Sequence, residues 1–318
     1  MSIIVRKAGI LNTVQDLGRY GYQKYGVNPN GAMDRWAVRI LNCLLGNAAD
    51  SPVIEMHFPA GEFEFDRDSI FAVGGADFGP RLSGTAISNW TSHSAGAGDT
   101  LTFSGKHFGE RAYLSVSGGF SLGLWLGSTS TNLGAKAGGY HGRRLGAGDQ
   151  LEGISSDWPV GLTVGRSMIP RYSSPPVVRI TKGPEFDILT GISASSLISE
   201  AFAISTDSNR MGFRMSGPEL FRYSSSEMIS SATTFGTIQL LPNGQLIILM
   251  ADHQTTGGYP RIANVAEADL PLLAQIGPGK GVRFELVDHL RAEHLLIDLE
   301  RELAFLRTGI RLKTATKL

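Results

Sequence analysis

Most of this chain alternates short apolar runs with glycine turns, and only three stretches carry the three-to-four-residue apolar spacing of an amphipathic helix. The first runs from Asp34 to Leu45. Asp34 is placed to cap it, Trp36, Ile40, Leu41, Leu44 and Leu45 share one face, and Gly46 ends it. The second lies around Val265 to Ile276, where Pro271 forces a break or two short segments. The third extends from Asp288 to about Leu306, with Ala292, Leu295, Leu296, Leu299, Leu303 and Leu306 in one stripe that predicts packing across a sheet. The segments SIFAVGG, DTLTFSG, RAYLSVSGG, DQLEGI, VVRITKG, GTIQLLPNGQLIILMAD and GVRFELVD read as short strands closed by turns. Asn243-Gly244 between two apolar runs predicts a hairpin over residues 236–252. The expected class is therefore mainly β with a few helices.

Two stretches share the form D-x-x-R-x-G-aromatic: Asp16 to Tyr22 and Asp207 to Phe213. Together with recurring glycine turns before strands, at 96–103, 146–151 and 277–284, they predict two related β-domains, each opening onto a shared cleft with an arginine-bearing loop. The serine- and proline-rich RYSSPPVVRI marks the boundary, giving a first subdomain over 1–174 and a second, with the C-terminal helix, over 175–318.

Composition narrows the function. Glycine contributes 40 of 318 residues, nearly twice the usual share of about 7%, in keeping with many tight turns. Lys plus Arg and Asp plus Glu each count 29, so no basic excess exists to hold a nucleic-acid backbone or an anionic membrane. The longest apolar run, Leu246 to Ala251, is far short of the roughly 20 residues of a membrane span. The start shows no export signal, and the single cysteine, Cys43, reads as a small buried hydrophobe. A cytoplasmic location is the expectation.

Familiar catalytic signatures are missing or out of context. Gly119-Phe-Ser121-Leu-Gly123 fits G-x-S-x-G but no helical pattern follows it. The seven histidines form no metal-ligand spacing, so no metal is expected, and no phosphate-binding G-x-x-x-x-G-K-[ST] occurs. Three polar, glycine-rich segments remain. Residues 13–34 put Gln15, Asp16, Arg19 and Asp34 on a turn-rich segment rather than a strand, with an Asp16 to Arg19 pair and an Asp34 cap as the purely structural alternative. Residues 208–214 carry Arg210 and Arg214, of which Arg214 is the better candidate for a structural ion pair. Residues 251–260, A-D-H-Q-T-T-G-G-Y-P, follow the hairpin's second strand, where rigid scaffolds place chemistry. There the Gly257 and Gly258 amides and the Thr255 and Thr256 hydroxyls could form a donor nest, or the glycines could simply supply positive φ. Guanidinium groups for a carboxylate, donors for a developing oxyanion and an aspartate for an N–H proton suit a small anionic or amide substrate.

These segments carry a resemblance. T-V-Q-D-L-G-R-x-G-Y with G-V-x-x-x-G-A-M-D, R-A-Y-L-S-V-S-G-G, L-G-S-x-S-T, G-G-Y-x-G-R, S-N-R-M-G-F-R-M-x-G-P and I-L-M-A-D-H-Q-T-T-G-G-Y-P, in this order from about residue 7 to 287, resemble the biotin-dependent carboxyltransferase family. That family includes the C subunit of 5-oxoprolinase, KipA-type proteins and the A and B carboxyltransferase subdomains of urea carboxylase. The resemblance implies two cyclophilin-like β-barrel subdomains and a complex with a KipI-type (allophanate hydrolase subunit 1) partner and a LamB/YcsF-type subunit. In one branch such a complex opens 5-oxoproline to L-glutamate with ATP hydrolysis. In the other, the module moves a carboxyl group from carboxybiotin to urea or a similar amide; a KipA-type regulatory binding protein is a further alternative. No biotin-carrier motif of the A-M-K-M type is present, which favours the 5-oxoprolinase branch, with no covalently bound cofactor and ATP used by the complex. Carried over residue by residue, the resemblance implies Asp34, Asp252 and Arg210 as catalytic and Arg19, Gln239, Thr255, Thr256, Gly257, Gly258 and Tyr259 as substrate-binding. Arg19 or Arg210 would hold the substrate carboxylate, Asp34 or Asp252 the amide proton, and the Gly257-Gly258 amides the oxyanion. Leu241 and Leu246 replace prolines frequent in relatives, and His253 stands where arginine is commoner.

Overall fold

A computed structural model describes residues 1–154, 156–172, 175–224 and 228–315. The chain divides into two compact units, one of Met1–Arg19, Asn30–Pro170 and Glu300–Leu318, the other of Tyr20–Pro29 and Arg171–Leu299. Ser173 and Ser174, the serines of the expected boundary, lie outside the described residues.

In the first unit two sheets share one core. A six-stranded sheet includes Ser2–Lys7, Glu62–Phe65, Thr100–Phe103 and Gln150–Glu152, and a five-stranded sheet includes Asn12–Gln15, Val53–Met56, Ser69–Asp77 and Phe108–Val116. Ile3, Val5, Phe63, Phe65 and Leu101 of the first meet Val14, Ile54, Met56, Phe71, Val73, Leu114 and Val116 of the second in a single buried cluster. Pairing of the strand 108–116 with 69–77 runs Leu114↔Val73 and Val116↔Phe71, setting alternate apolar side chains on the core face. The helix Arg35–Leu44 begins as its pattern predicts: the Asp34 carboxylate accepts from the Ala37 amide at 2.9 Å. Gln15, expected on a turn, instead ends the strand Asn12–Gln15 and is buried there, because Val14 and Gln15 pair with Ile54 and Val53.

The second unit is a closed seven-stranded barrel in the order Val177–Lys182, Arg261–Val265, Thr237–Leu240, Leu246–Leu249, Gly212–Ser216, Ala201–Ile204 and Gly281–Leu286. Closure leaves the sheet no free edge, and its interior is filled by Ile180, Phe202, Phe213, Met215, Ile238, Leu240, Ile248, Val282 and Phe284. The hairpin is present, with Ile238↔Ile248, Gln239↔Ile247 and Leu240↔Leu246 opposite one another. Its loop is longer than two residues, since the Leu241 amide reaches the Gln245 carbonyl at 2.8 Å and only Gly244 takes positive φ. The region around Pro271 resolves into a 3₁₀ turn, Glu267–Asp269, and a short helix, Leu270–Ala274.

The helix Gly191–Ser199 has no signal in the sequence, because its serine-rich composition favours caps and turns; Thr190 caps it, accepting from the Ser193 amide at 3.3 Å. The last helix runs His289–Ala315, longer than its stripe suggests. Leu303, Leu306 and Ile310 are buried within the first unit, where Glu300 grips Arg39 of the helix Arg35–Leu44, while Leu295, Leu296 and Leu299 are only partly buried or exposed.

Candidate functional site

The two D-x-x-R-x-G-aromatic stretches are not structural equivalents: the first follows the strand Asn12–Gln15, whereas the second leads into the strand Gly212–Ser216. Their charged residues do different work. Asp16 does not pair with Arg19. Its carboxylate accepts from the Ser128 and Thr129 hydroxyls at 2.7 and 3.0 Å, the Thr129 and Gly18 amides at 2.6 and 2.7 Å, and the Ser130 hydroxyl, clamping the S-T-S-T loop. Arg19, 1% exposed, donates to Asn30 Oδ1 and to the Ser130 carbonyl, and its guanidinium lies 4.5 Å from the Trp125 ring centre. Asp34 is fully buried as the helix cap. Its amide donates to the Tyr113 hydroxyl at 2.8 Å, which in turn donates to Glu55 at 2.9 Å. Burial, with the Glu55 and Asp34 carboxylates beside it, pushes the Tyr113 hydroxyl well above the ordinary range, so it stays protonated as a donor. In the first unit, Arg19 and Asp34 are thus engaged in holding loops and a helix start.

In the second unit the roles expected of the two arginines are exchanged. Arg210 forms the buried ion pair, its Nε and Nη2 meeting the two Asp252 oxygens at 2.9 and 3.0 Å in a bidentate clasp. The Asp252 amide also donates to the Arg210 carbonyl at 2.8 Å, and Asn28 Nδ2 to the Asp252 carbonyl at 2.9 Å. Arg214, the better candidate for an ion pair by sequence, is exposed and faces a cavity.

That cavity, about 440 Å³, is lined by Asn209, Met211, Gly212, Arg214, Gln239, Ile247, Gln254 and Tyr259, with Asp207 and the hairpin loop 241–243 at its edge. Neither Arg210 nor Asp252 lines it. Strand register explains the placement. Arg214 pairs with Ile247, Ile247 with Gln239 and Gln239 with Arg261, so Arg214, Ile247 and Gln239 form one row on the barrel's outer face. Alternation along the strand sends Ile238 and Leu240 inward and Gln239 outward. Gly212 is glycine because any Cβ there would stand 2.8 Å from the Ile247 side chain.

Gln239 is nonetheless only 1% exposed, since the segment carrying Gly257 and Tyr259 covers it. Its Nε2 donates to the Tyr259 carbonyl at 3.3 Å, and its Oε1 is buried without a hydrogen-bond partner. A buried carbonyl oxygen left unpaired costs about 1–3 kcal/mol. Gly257 sits so close that a Cβ would fall 2.6 Å from Gln239 Nε2. Neither Gly257 nor Gly258 is among the glycines with positive φ, so close approach, not turn conformation, accounts for Gly257. Thr256–Gly257 pairs with Ser231–Ala232; Thr256 and Gly258 are exposed and Thr255 is half-buried. His253 is buried, its Nδ1 2.7 Å from the Gln254 carbonyl. Gln239 and Tyr259 are expected from the family resemblance; Asn209, Ile247 and Gln254 are not, Ile247 being marked only by its register between Arg214 and Gln239 and the other two lying on loops outside any paired strand. Among the described residues no group of His, Cys, Asp and Glu is placed to hold a metal, and no helix is long and apolar enough to cross a membrane.

A closed seven-stranded barrel and a two-sheet unit carried in one chain match the fold of solved urea amidolyase and urea carboxylase chains, and so define a carboxyltransferase module. The chain belongs to the family described as carboxyltransferase domain, subdomain A and B, whose model matches residues 25–286. It is similar to the C subunit of 5-oxoprolinase from Haemophilus influenzae, 39% identical over 283 residues, covering 89% of this chain and 90% of that protein. The Escherichia coli protein of the same name is 38% identical over 284 residues, covering 87% and 89%. Urea amidolyase of Saccharomyces cerevisiae is 31% identical over 302 residues, 89% of this chain but 16% of that protein. Among solved structures, the Kluyveromyces lactis urea amidolyase superposes with TM-score 0.90 at 27% identity over 96% of this chain, which spans 20% of that protein.

Proposed function

We propose that this chain is the C subunit of an ATP-dependent 5-oxoprolinase. The observation that carries the reading is reciprocal coverage: the alignment takes in nearly all of a separate protein bearing that name, whereas the urea amidolyases are matched over a small fraction of their length. In this reading the chain works with a KipI-type partner and a LamB/YcsF-type subunit, and together they hydrolyse 5-oxoproline to L-glutamate and ATP to ADP and phosphate, consuming one water in each.

The barrel-wall cavity suits that substrate. A lactam N–H satisfies Gln239 Oε1, and the carboxylate pairs with Arg214, one strand beyond Ile247 in the same row and about 10 Å away at the backbone. The Arg210–Asp252 clasp acts as a positioning element, fixing the two segments that border the cavity, residues 207–212 and 254–259. ATP and the hydrolytic step are assigned to the complex as a whole, with no covalent cofactor on this chain.

Urea also offers N–H donors to Gln239, but it has no carboxylate for Arg214, which ranks carboxyl transfer from carboxybiotin second. The test is to purify the chain with both partner subunits and follow glutamate release from 5-oxoproline with ATP. Glutamate formation that requires all three subunits is expected. Its absence, alongside carboxylation of urea when a biotin carboxylase and biotin carrier are supplied, would overturn the assignment.

A further inference from the structure

A second cavity lies in the first unit, about 300 Å³, between two helices that meet there. Arg39 and Cys43, four residues apart, project from the helix Arg35–Leu44, and Arg307, Ile310 and Arg311 project from the facing helix His289–Ala315. Trp158 closes one side. Its indole N–H donates to the Leu44 carbonyl at 2.9 Å, and its ring packs on Gly46, whose φ of +70° and lack of a Cβ make room for it.

Three guanidiniums share this space with one carboxylate. Glu300 is taken by Arg39, which donates to its two oxygens at 2.5 and 2.6 Å; the pairing with Arg39, aided by the Arg307 charge, lowers the Glu300 carboxyl. Burial raises the Cys43 thiol against the opposing charges of Arg307 and Arg311, and no carboxylate lies within salt-bridge distance of either arginine among the described residues. Like charges four apart on one helix oppose each other by roughly 0.2–0.5 kcal/mol. The end of the helix Arg35–Leu44 offers them only about half a negative charge, and its last turn is already bonded by the Leu45 and Gly46 amides. The cavity is left net positive, with an aromatic wall and an apolar edge.

We propose that this cavity is a binding site for a small oxyanion, carboxylate or phosphate, borne on a flat apolar body, with Arg307 and Arg311 gripping the anion and Trp158 stacking on the body. Arg307 and Arg311 lie beyond residues 25–286, so the site does not belong to the part of the chain that defines the family. It is also independent of the barrel-wall pocket, all of whose lining belongs to the second unit.

Cys43, the only cysteine in the chain, supplies a built-in reporter. The full-length chain is labelled with neutral iodoacetamide in the presence of phenyl phosphate, benzoate, or sodium chloride at matched ionic strength, and binding of the same probes is followed by calorimetry. Phenyl phosphate or benzoate, or both, should slow labelling by about tenfold at saturation and release or absorb heat, and chloride should do neither; which probe acts tells phosphate from carboxylate. Arg307→Gln with Arg311→Gln should weaken binding by about tenfold or more while leaving the circular dichroism spectrum and melting temperature unchanged. Should Cys43 resist labelling in the free protein, the calorimetric comparison decides alone. Absence of binding by either aromatic anion, or equal binding to the double variant, would overturn the proposal.

Discussion

Removing the Asp252 carboxylate should cost stability first and activity only as a consequence. The Arg210 side chain is 6% exposed and that of Asp252 13%, and the pair is bidentate. Asp252→Ala leaves a guanidinium in the protein interior with its main anionic partner gone, a loss of about 3–5 kcal/mol for a buried pair broken on one side. For a unit of this size each kcal/mol moves the midpoint by about 2–4 °C, so the transition reporting the barrel should fall by about 6–20 °C. Replacing both charges with apolar groups of similar bulk, Arg210→Met with Asp252→Leu, should recover most of that loss, because it removes the stranded charge together with the pair. The assay is thermal melting by circular dichroism at neutral pH for the wild type, Asp252→Ala and the double variant. If Asp252→Ala abolished activity in the complex while its midpoint stayed within about 2 °C of wild type, Asp252 would be a reacting group and its assignment as a positioning residue would fall.

Gly257→Ala should press a methyl against the Gln239 amide, raising the KM for substrate with little change in melting temperature, as steady-state kinetics and a melt would show together. Asp16→Asn should loosen the S-T-S-T loop and lower the first unit's midpoint by several degrees, since a carboxylate that accepts from three hydroxyls and two amides is replaced by a group with one fewer acceptor oxygen; proteolysis within residues 125–135 should accelerate. Hydrogen bonding to Arg261 holds the Glu185 carboxyl below its usual value of 4.5, so the pair stabilises the fold above that pH and the contribution fades as pH falls through the lowered value. Glu185→Gln should therefore melt below wild type at pH 7, and the gap should narrow as pH falls below 4.5 and close once the carboxyl is protonated in the folded state; a gap that stayed constant throughout the acid titration would exclude that linkage.

The strands are readable because alternation and glycine turns mark them directly, and the helix at Arg35 because Asp34 caps a clean apolar stripe. The serine-rich helix at Gly191 carries no such stripe, with only Ser193 and Leu197 buried. At the cavity, Gln239 and Tyr259 are among the residues the family resemblance implies, whereas Thr255, Thr256, Gly257 and Gly258 do not line it, and which arginine faces it cannot be read from the sequence. Arg210 and Arg214 are four residues apart with similar neighbours, and what separates them is the strand that begins at Gly212. It puts Arg214 in register with Ile247 and Gln239 and leaves Arg210 before the strand, where Asp252 reaches it. The internal repeat misleads for a related reason: similar letters precede a strand in one case and follow one in the other.

The most direct test is the KM for 5-oxoproline of the complex of all three subunits carrying Gln239→Leu. Losing the buried acceptor proposed to take the substrate N–H should raise KM about tenfold, by the roughly 1–1.5 kcal/mol of a single hydrogen bond, with subunit assembly and melting temperature unchanged. A KM equal to that of the wild type, in a complex that forms normally, would contradict the placement of the lactam against the barrel wall.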